Sequence, residues 1–207
     1  MVKIVLSLKM TIKFSSYHTL FICFAFMLWV GLFFYPKWDQ SGSEATISWD
    51  VSGYYNYLPA LFIYDDLKYC NYQFDIKEKY SPAGNNLPAN SYKNSKGKIM
   101  QYTCGLSILM SPSFFIAHTY TSHFQNKYPA DGFSYPYQIC LGLSMLVFSL
   151  LGLFLLRNIL LLYYLDNVVS LCLITYVFGT AYLNYASIDQ AQANPCLFAL
   201  YSLLIYL

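Results

Sequence analysis

The residues from Ile139 to Leu156 form a run of eighteen without a charge, closed by Arg157, the only arginine in the chain. A helix of that length reaches about 27 Å at 1.5 Å per residue, close to the ~30 Å hydrocarbon thickness of a bilayer. Three other stretches are of the same kind. Thr19–Tyr35 is an uncharged run of 17, Val168–Leu183 is uncharged throughout, and Cys196–Leu207 is an apolar run of twelve. Only 11% of the chain is charged and 57% is hydrophobic, against roughly 25% charged in an ordinary soluble domain. So little polar surface cannot coat a water-soluble globule, and lipid is expected to be part of the solvent. The expected class is an all-α polytopic membrane protein. The 22 tyrosines fit this, because a phenol suits a boundary that is apolar on one side and wet on the other.

Charge sets the expected orientation. Lys3, Lys9 and Lys13 precede the first run with no acid among them, which predicts a cytoplasmic N-terminus. The first run is rich in Phe and Met and carries Trp29, and no small-residue cleavage site follows closely, so an uncleaved anchor is favoured over a signal peptide. The resulting layout has a cytoplasmic tail over 1–18, a first span over 19–35 and a long external loop over 36–138. A second span follows over 139–156, a cytoplasmic loop over 157–167, a third span over 168–183 and an external loop over 184–195. Residues 196–207 then begin a fourth span. Between 37 and 135 the chain has eight Lys and eight Asp or Glu, so the loop is neutral, and long loops cross membranes largely regardless of charge. Twelve apolar residues are too few for a span, and the expectation is a longer protein or a reading frame cut short. The net charge of +2 gives no argument for nucleic acid.

Tyr102–Ala117 is uncharged but interrupted by Gly105 and Pro112. A short span, a re-entrant segment and an interfacial helix all fit. If it does not cross, Arg157 falls on the cytoplasmic side as the charge bias prefers, and that reading is taken. Asp50, Asp131 and Asp189 then emerge on one external side. Cys23, Cys140, Cys172 and Cys196 lie in apolar runs and read as small hydrophobes. Cys70 and Cys104 lie outside them, either paired or as unrelated thiols. No cysteine or histidine spacing suggests zinc.

Five acidic residues are candidate site residues. Asp50 opens a Tyr-rich stretch, Ser48 to Leu67, in which Asp50, Tyr54 and Tyr57 fall on one helical face. A carboxylate partly desolvated among tyrosine rings can act as a general base; it can equally cap a short helix. Leu58, Leu61 and Phe62 form an apolar patch suited to the bilayer surface. Asp65 and Asp66 could hold a cation or sugar hydroxyls, or mark the wet side of a helix. Asp131 lies in a turn-like Asp-Gly sequence. Asp189 lies in the polar link between the third and fourth runs, where an ordinary loop is the plain alternative. His118 and His123 have no partners at ligand spacing, so no metal site is assigned. Phosphate-binding loops, nucleophile elbows and metalloprotease helices are absent from the sequence.

The segments WDVSGYYNYLPALFIYDDL, QYTCGLSILMSPSFFIAH and DGFSYPYQICLGLSMLVFSLLGLFLLRNIL cover most of residues 49–160. In pattern and order this set resembles the GT-C class of membrane glycosyltransferases, nearest to bacterial family-39-like, dolichyl-phosphate-mannose-type enzymes. The resemblance implies a GT-C-like N-terminal part with short interfacial helices on the external loop. It implies a bacterial inner-membrane enzyme that moves a sugar from a polyprenyl-phosphate donor to an acceptor on the non-cytoplasmic side. It assigns Asp50 the role of catalytic base or acceptor-orienting residue. In a transferase Tyr54 and Tyr57 would line the site, and Asp65, Asp66, Asp131 and Asp189 are substrate-binding candidates by their external placement alone. Some members use a divalent cation, which nothing in this sequence requires. Two departures stand out. The Ile188–Asn194 link lacks the Ser-His pair such enzymes tend to carry there, and such enzymes have more spans than this chain, which alone is expected to be inactive. A transporter or flippase-like fragment and a non-catalytic or truncated membrane protein are the competing readings. The uncharged spans weigh against the transporter.

Overall fold

The structure is a computed structural model that describes residues 15–83, 90–91, 97–124 and 127–207. The lysine-rich start and most of the 84–98 loop lie outside the described residues. The fold is mostly helical. The helices are α1 (Ser16–Trp29), α2 (Trp49–Tyr55), α3 (Tyr57–Phe62), α4 (Gln73–Tyr80), α5 (Gly105–Thr119), α6 (Tyr135–Leu161), α7 (Asp166–Gly179) and α8 (Ala193–Tyr206). A two-residue ladder, β1 (Asn90–Ser91) with β2 (Lys98–Ile99), runs antiparallel. It adds a small exception to the all-α expectation. Two segments, Ser16–Asp39 and Tyr135–Leu161, are long and apolar enough to cross a membrane, and α7 and α8 are shorter apolar helices.

The helices depart from the uncharged runs for local reasons. At its start α6 extends the second run to Tyr135, because Ser134 is extended and Pro136 occupies the first turn, where a missing N–H costs nothing. Arg157 does not end it, since its side chain is buried within the bundle. α7 stops at Gly179 rather than Leu183. Thr180 is extended, and its hydroxyl donates to the Tyr176 carbonyl at 2.7 Å and accepts from the Tyr182 N–H at 3.1 Å. The helical path resumes as a π-helical turn at Asn184–Ile188.

α6 is the central element and contacts α1, α5, α7 and α8. One core lies where α2, α3 and α5 meet its first half, around Tyr55, Phe114, Tyr137 and Leu141. A second joins its later half to α1 and α7 through Leu20, Met27, Leu153 and Leu173. Three polar links fix the helices. Arg157 Nε donates to Ser16 Oγ at 2.7 Å, and the Asp166 carboxylate accepts from the Ser16 hydroxyl and, at 3.0 Å, from its N–H. The Arg157 guanidinium also lies 3.4 Å from the Tyr17 ring centroid. Lys37, after α1, is ion-paired with Asp189. Gln190 is 1% exposed, and its amide donates to the carbonyls of Gly31 at 3.1 Å and Ser187 at 2.8 Å.

That glutamine fits only because two neighbours lack side chains. A Cβ at Gly31 or Gly142 would run into Gln190. Gly142→Val is expected to displace Gln190 and destabilise the protein by about 1–3 kcal/mol, the usual cost of overpacking. Denaturant unfolding in detergent measures this, and an unchanged midpoint would contradict it.

Candidate functional site

The entry to α2 is set by backbone contacts at some distance in sequence. The Trp49 N–H donates to the Ala83 carbonyl at 3.0 Å, and Ser48 Oγ accepts from the Ala83 N–H at 2.9 Å. Trp49 takes φ 48°, a left-handed conformation costly for a bulky residue, and turns the chain sharply before Asp50. The Ile47 N–H donates to Gln138 Oε1 at 2.7 Å, which ties this entry to α6. Tyr55 anchors the other face of α2. It is 1% exposed and its hydroxyl donates to the Gly132 carbonyl at 2.5 Å. With that face locked, Asp50 points outward and is exposed. The expected partial desolvation of Asp50 is therefore corrected. The capping reading is corrected as well, because Ser48 holds the N-cap position.

The residue that organises the site is Tyr102, just before α5. Its hydroxyl donates to Asp50 Oδ1 at 2.5 Å. Its ring lies 4.5 Å from that of Tyr54, and its carbonyl accepts from the Tyr57 hydroxyl at 2.5 Å. Asp50, Tyr54 and Tyr57 thus all meet one residue, as a shared face requires. The ring rests on Gly53, where a Cβ would strike it. That glycine, inside an otherwise helical stretch, was the sequence signal for a packing slot; the partner filling it, about fifty residues away, had no local signature. Ser107 on α5 donates to the Tyr54 carbonyl and closes the arrangement.

Beside this group lies an apolar cleft of about 480 Å³ between α5 and α8. Tyr54, Leu106 and Leu109 form one wall, and Cys196, Leu197 and Leu200 the other. The cleft falls within the ~300–1,000 Å³ of small-molecule sites. Tyr54 belongs both to it and to the Asp50 group, so a carboxylate and an apolar trough adjoin.

The phenols around Asp50 remain protonated at neutral pH. The hydrogen bond to the Asp50 carboxylate, followed by burial, pushes Tyr102 up to about 12. Burial and then Asp50 raise Tyr54, and burial raises Tyr57. A raised phenol pKa gives Tyr102 a stabilising role that is full below pH ~10 and lost as pH rises through about 12. Titration of ring-labelled tyrosines should show a resonance titrating near pH 12 that disappears in Tyr102→Phe and shifts toward ~10 in Asp50→Asn. An unshifted resonance in Asp50→Asn would rule out the bond as its cause.

Three of the other four acidic candidates have structural employment. Asp131 Oδ1 accepts from the N–H groups of Phe133 and Ser134, both at 3.0 Å. Its other oxygen takes Lys79 at 2.8 Å and Tyr80 at 2.7 Å. Asp189 is held by Lys37. Asp66 accepts from the N–H groups of Asn71 at 2.6 Å and Tyr69 at 3.0 Å, and these bonds, Asn71 first, hold its carboxyl below the usual range. Asp65 is exposed, with φ 47°. No group of three His, Cys, Asp or Glu able to hold a metal occurs among the described residues. Cys70 is buried, Cys104 is exposed, and both are free thiols. Leu58 is buried rather than part of the outer patch, whereas Leu61 and Phe62 are exposed. His118 Nδ1 lies 2.7 Å from the Tyr137 hydroxyl and its ring stacks on Phe114, which joins α5 to α6.

Comparison with known protein families, characterised proteins and solved structures returns no match. Any function assigned to the chain therefore rests on its own residues and their geometry.

Proposed function

We propose that the protein is a multi-pass membrane glycosyltransferase, or the N-terminal part of one, that moves a sugar from a polyprenyl-phosphate-linked donor to an acceptor on the non-cytoplasmic side. The observation that carries this reading is the adjacency of a Tyr102-oriented carboxylate, Asp50, to the apolar cleft between α5 and α8. An amphiphilic donor has those two needs, an apolar trough for its chain and polar groups at its head. Asp50 takes the acceptor hydroxyl's proton as the acceptor oxygen bonds to the anomeric carbon. The bond from that carbon to the phosphate oxygen breaks on the opposite face, so configuration inverts. Tyr102 fixes the carboxylate through Oδ1, and Tyr54 stands between cleft and carboxylate. Fixing acceptor and base together supplies much of the rate gain. Asp131 and Asp189, tied to Lys79 and Lys37, shape the fold around the site rather than meeting substrate.

The test is transfer of radiolabelled hexose from polyprenyl-phosphate donors by the purified full-length protein in proteoliposomes. Label is expected in a water-soluble or envelope acceptor. Label that stays with the donor for every hexose tried would overturn the assignment.

A further inference from the structure

A second cleft, of about 240 Å³, lies between the turn after α1, the end of α4 and the start of α6. Its walls combine aromatic surface with hydrogen-bonding groups. Trp38, Tyr80 and Tyr135 are half-buried and line it. The Trp38 and Tyr135 rings meet edge-to-face at 5.2 Å, which holds both in fixed orientations. Trp38 Nε1 is closed off from solvent, so the indole offers the cleft its carbon framework rather than its N–H. Asp39 and Gln40 lie on the same lining, and both are exposed. The cation there, Lys79, is committed to Asp131. The volume is below the ~300–1,000 Å³ of drug-sized sites.

We propose that this cleft is a binding site for a neutral saccharide, one sugar ring seated on the Trp38 and Tyr135 surfaces with hydroxyls donating to the Asp39 carboxylate. A pyranose has an apolar C–H face and a rim of hydroxyls. The cleft pairs fixed aromatic surface with a carboxylate acceptor, whose bonds to hydroxyl donors are charge-assisted. An anionic ligand is disfavoured, because Asp39 repels it and Lys79 is already neutralised by Asp131. A quaternary ammonium also suits aromatic rings beside a carboxylate, and choline is therefore the contrasting probe. As the acceptor subsite, this cleft rests on the transferase reading above; as a saccharide site, it does not.

The experiment is saturation-transfer NMR on the purified protein in detergent, without donor, using methyl glycosides of glucose, galactose and mannose, with choline as the contrasting probe. At least one glycoside is expected to bind with a dissociation constant of about 1–10 mM. Asp39→Asn and Trp38→Ala should each weaken binding by about tenfold or more, and Trp38→Phe, which keeps an aromatic surface, should weaken it less. Far-ultraviolet circular dichroism establishes that each variant is folded. No saturable signal from any glycoside, equal binding by wild type and Asp39→Asn, or binding of choline alone would each overturn the proposal. Because no donor is present, the outcome is independent of whether transfer occurs at Asp50.

Discussion

Asp50→Asn is expected to lower sugar transfer by about 10²–10⁴-fold, the usual contribution of a positioned general base, with little change in fold or substrate affinity. The substitution is nearly isosteric, and the Tyr102 hydroxyl can still donate to the amide oxygen in place of Oδ1. Asp50 is exposed and outside both cores, and changes at such positions usually alter stability by less than about 0.5 kcal/mol. What disappears is the group that receives the acceptor's proton. The loss should therefore appear in kcat with KM little changed, the pattern of an interaction made only in the transition state. Tyr102→Phe keeps the carboxylate and removes only the bond that orients it, so its effect should be smaller, about tenfold. A loss in Tyr102→Phe as large as that in Asp50→Asn would make Tyr102, not Asp50, the central group.

The second large effect lies at the other end of the bundle. Asp166→Ala is expected to destabilise the protein by about 1–3 kcal/mol, the cost of leaving the buried Ser16 donors without an acceptor. Arg157 is 5% exposed and reaches Asp166 through Ser16. Without the carboxylate, Ser16 loses the acceptor of both its N–H and its hydroxyl, and the guanidinium loses its counter-charge. Asp166→Asn, which keeps an acceptor, should cost about 1 kcal/mol. The double change Arg157→Met with Asp166→Leu should recover only the part of the loss that comes from the uncompensated guanidinium, because Ser16 still lacks its acceptor. Denaturant unfolding in detergent micelles distinguishes these cases, and an Asp166→Ala midpoint equal to wild type would contradict a network holding α1, α6 and α7 together.

The apolar runs made the helices legible, because an uncharged stretch of that length has one economical fold whether lipid or protein surrounds it. Their ends were less legible. Thr180 ends α7 by satisfying its own neighbours' backbone groups, and burial of Arg157 lets α6 continue, and neither effect changes the hydropathy of the run. The helical spacing of Asp50, Tyr54 and Tyr57 carried the shared face into the structure. Tyr102, which connects them, was hidden because a contact across about fifty residues leaves no periodicity. The same limit applied to Asp131 and Asp189. In the sequence each is open to a plain loop role or to substrate binding, and the ion pairs with Lys79 and Lys37 leave no trace there. The apolar cleft was invisible for a further reason: α5 and α8 build it from ordinary Leu and Cys positions whose spacing is that of any packed helix.

The central claim is that the Asp50–Tyr102 pair beside the α5–α8 cleft is a sugar-transfer centre facing away from the N-terminus. The most direct measurement is single-turnover transfer in sealed vesicles of uniform orientation, with polyprenyl-phosphate sugar in the bilayer and acceptor on one side only. Transfer by the full-length wild-type protein is expected only when acceptor is on the side opposite the N-terminus, and it should fall by at least about 10²-fold in Asp50→Asn. Equal transfer by wild type and Asp50→Asn, or transfer only to acceptor on the N-terminal side, would contradict it.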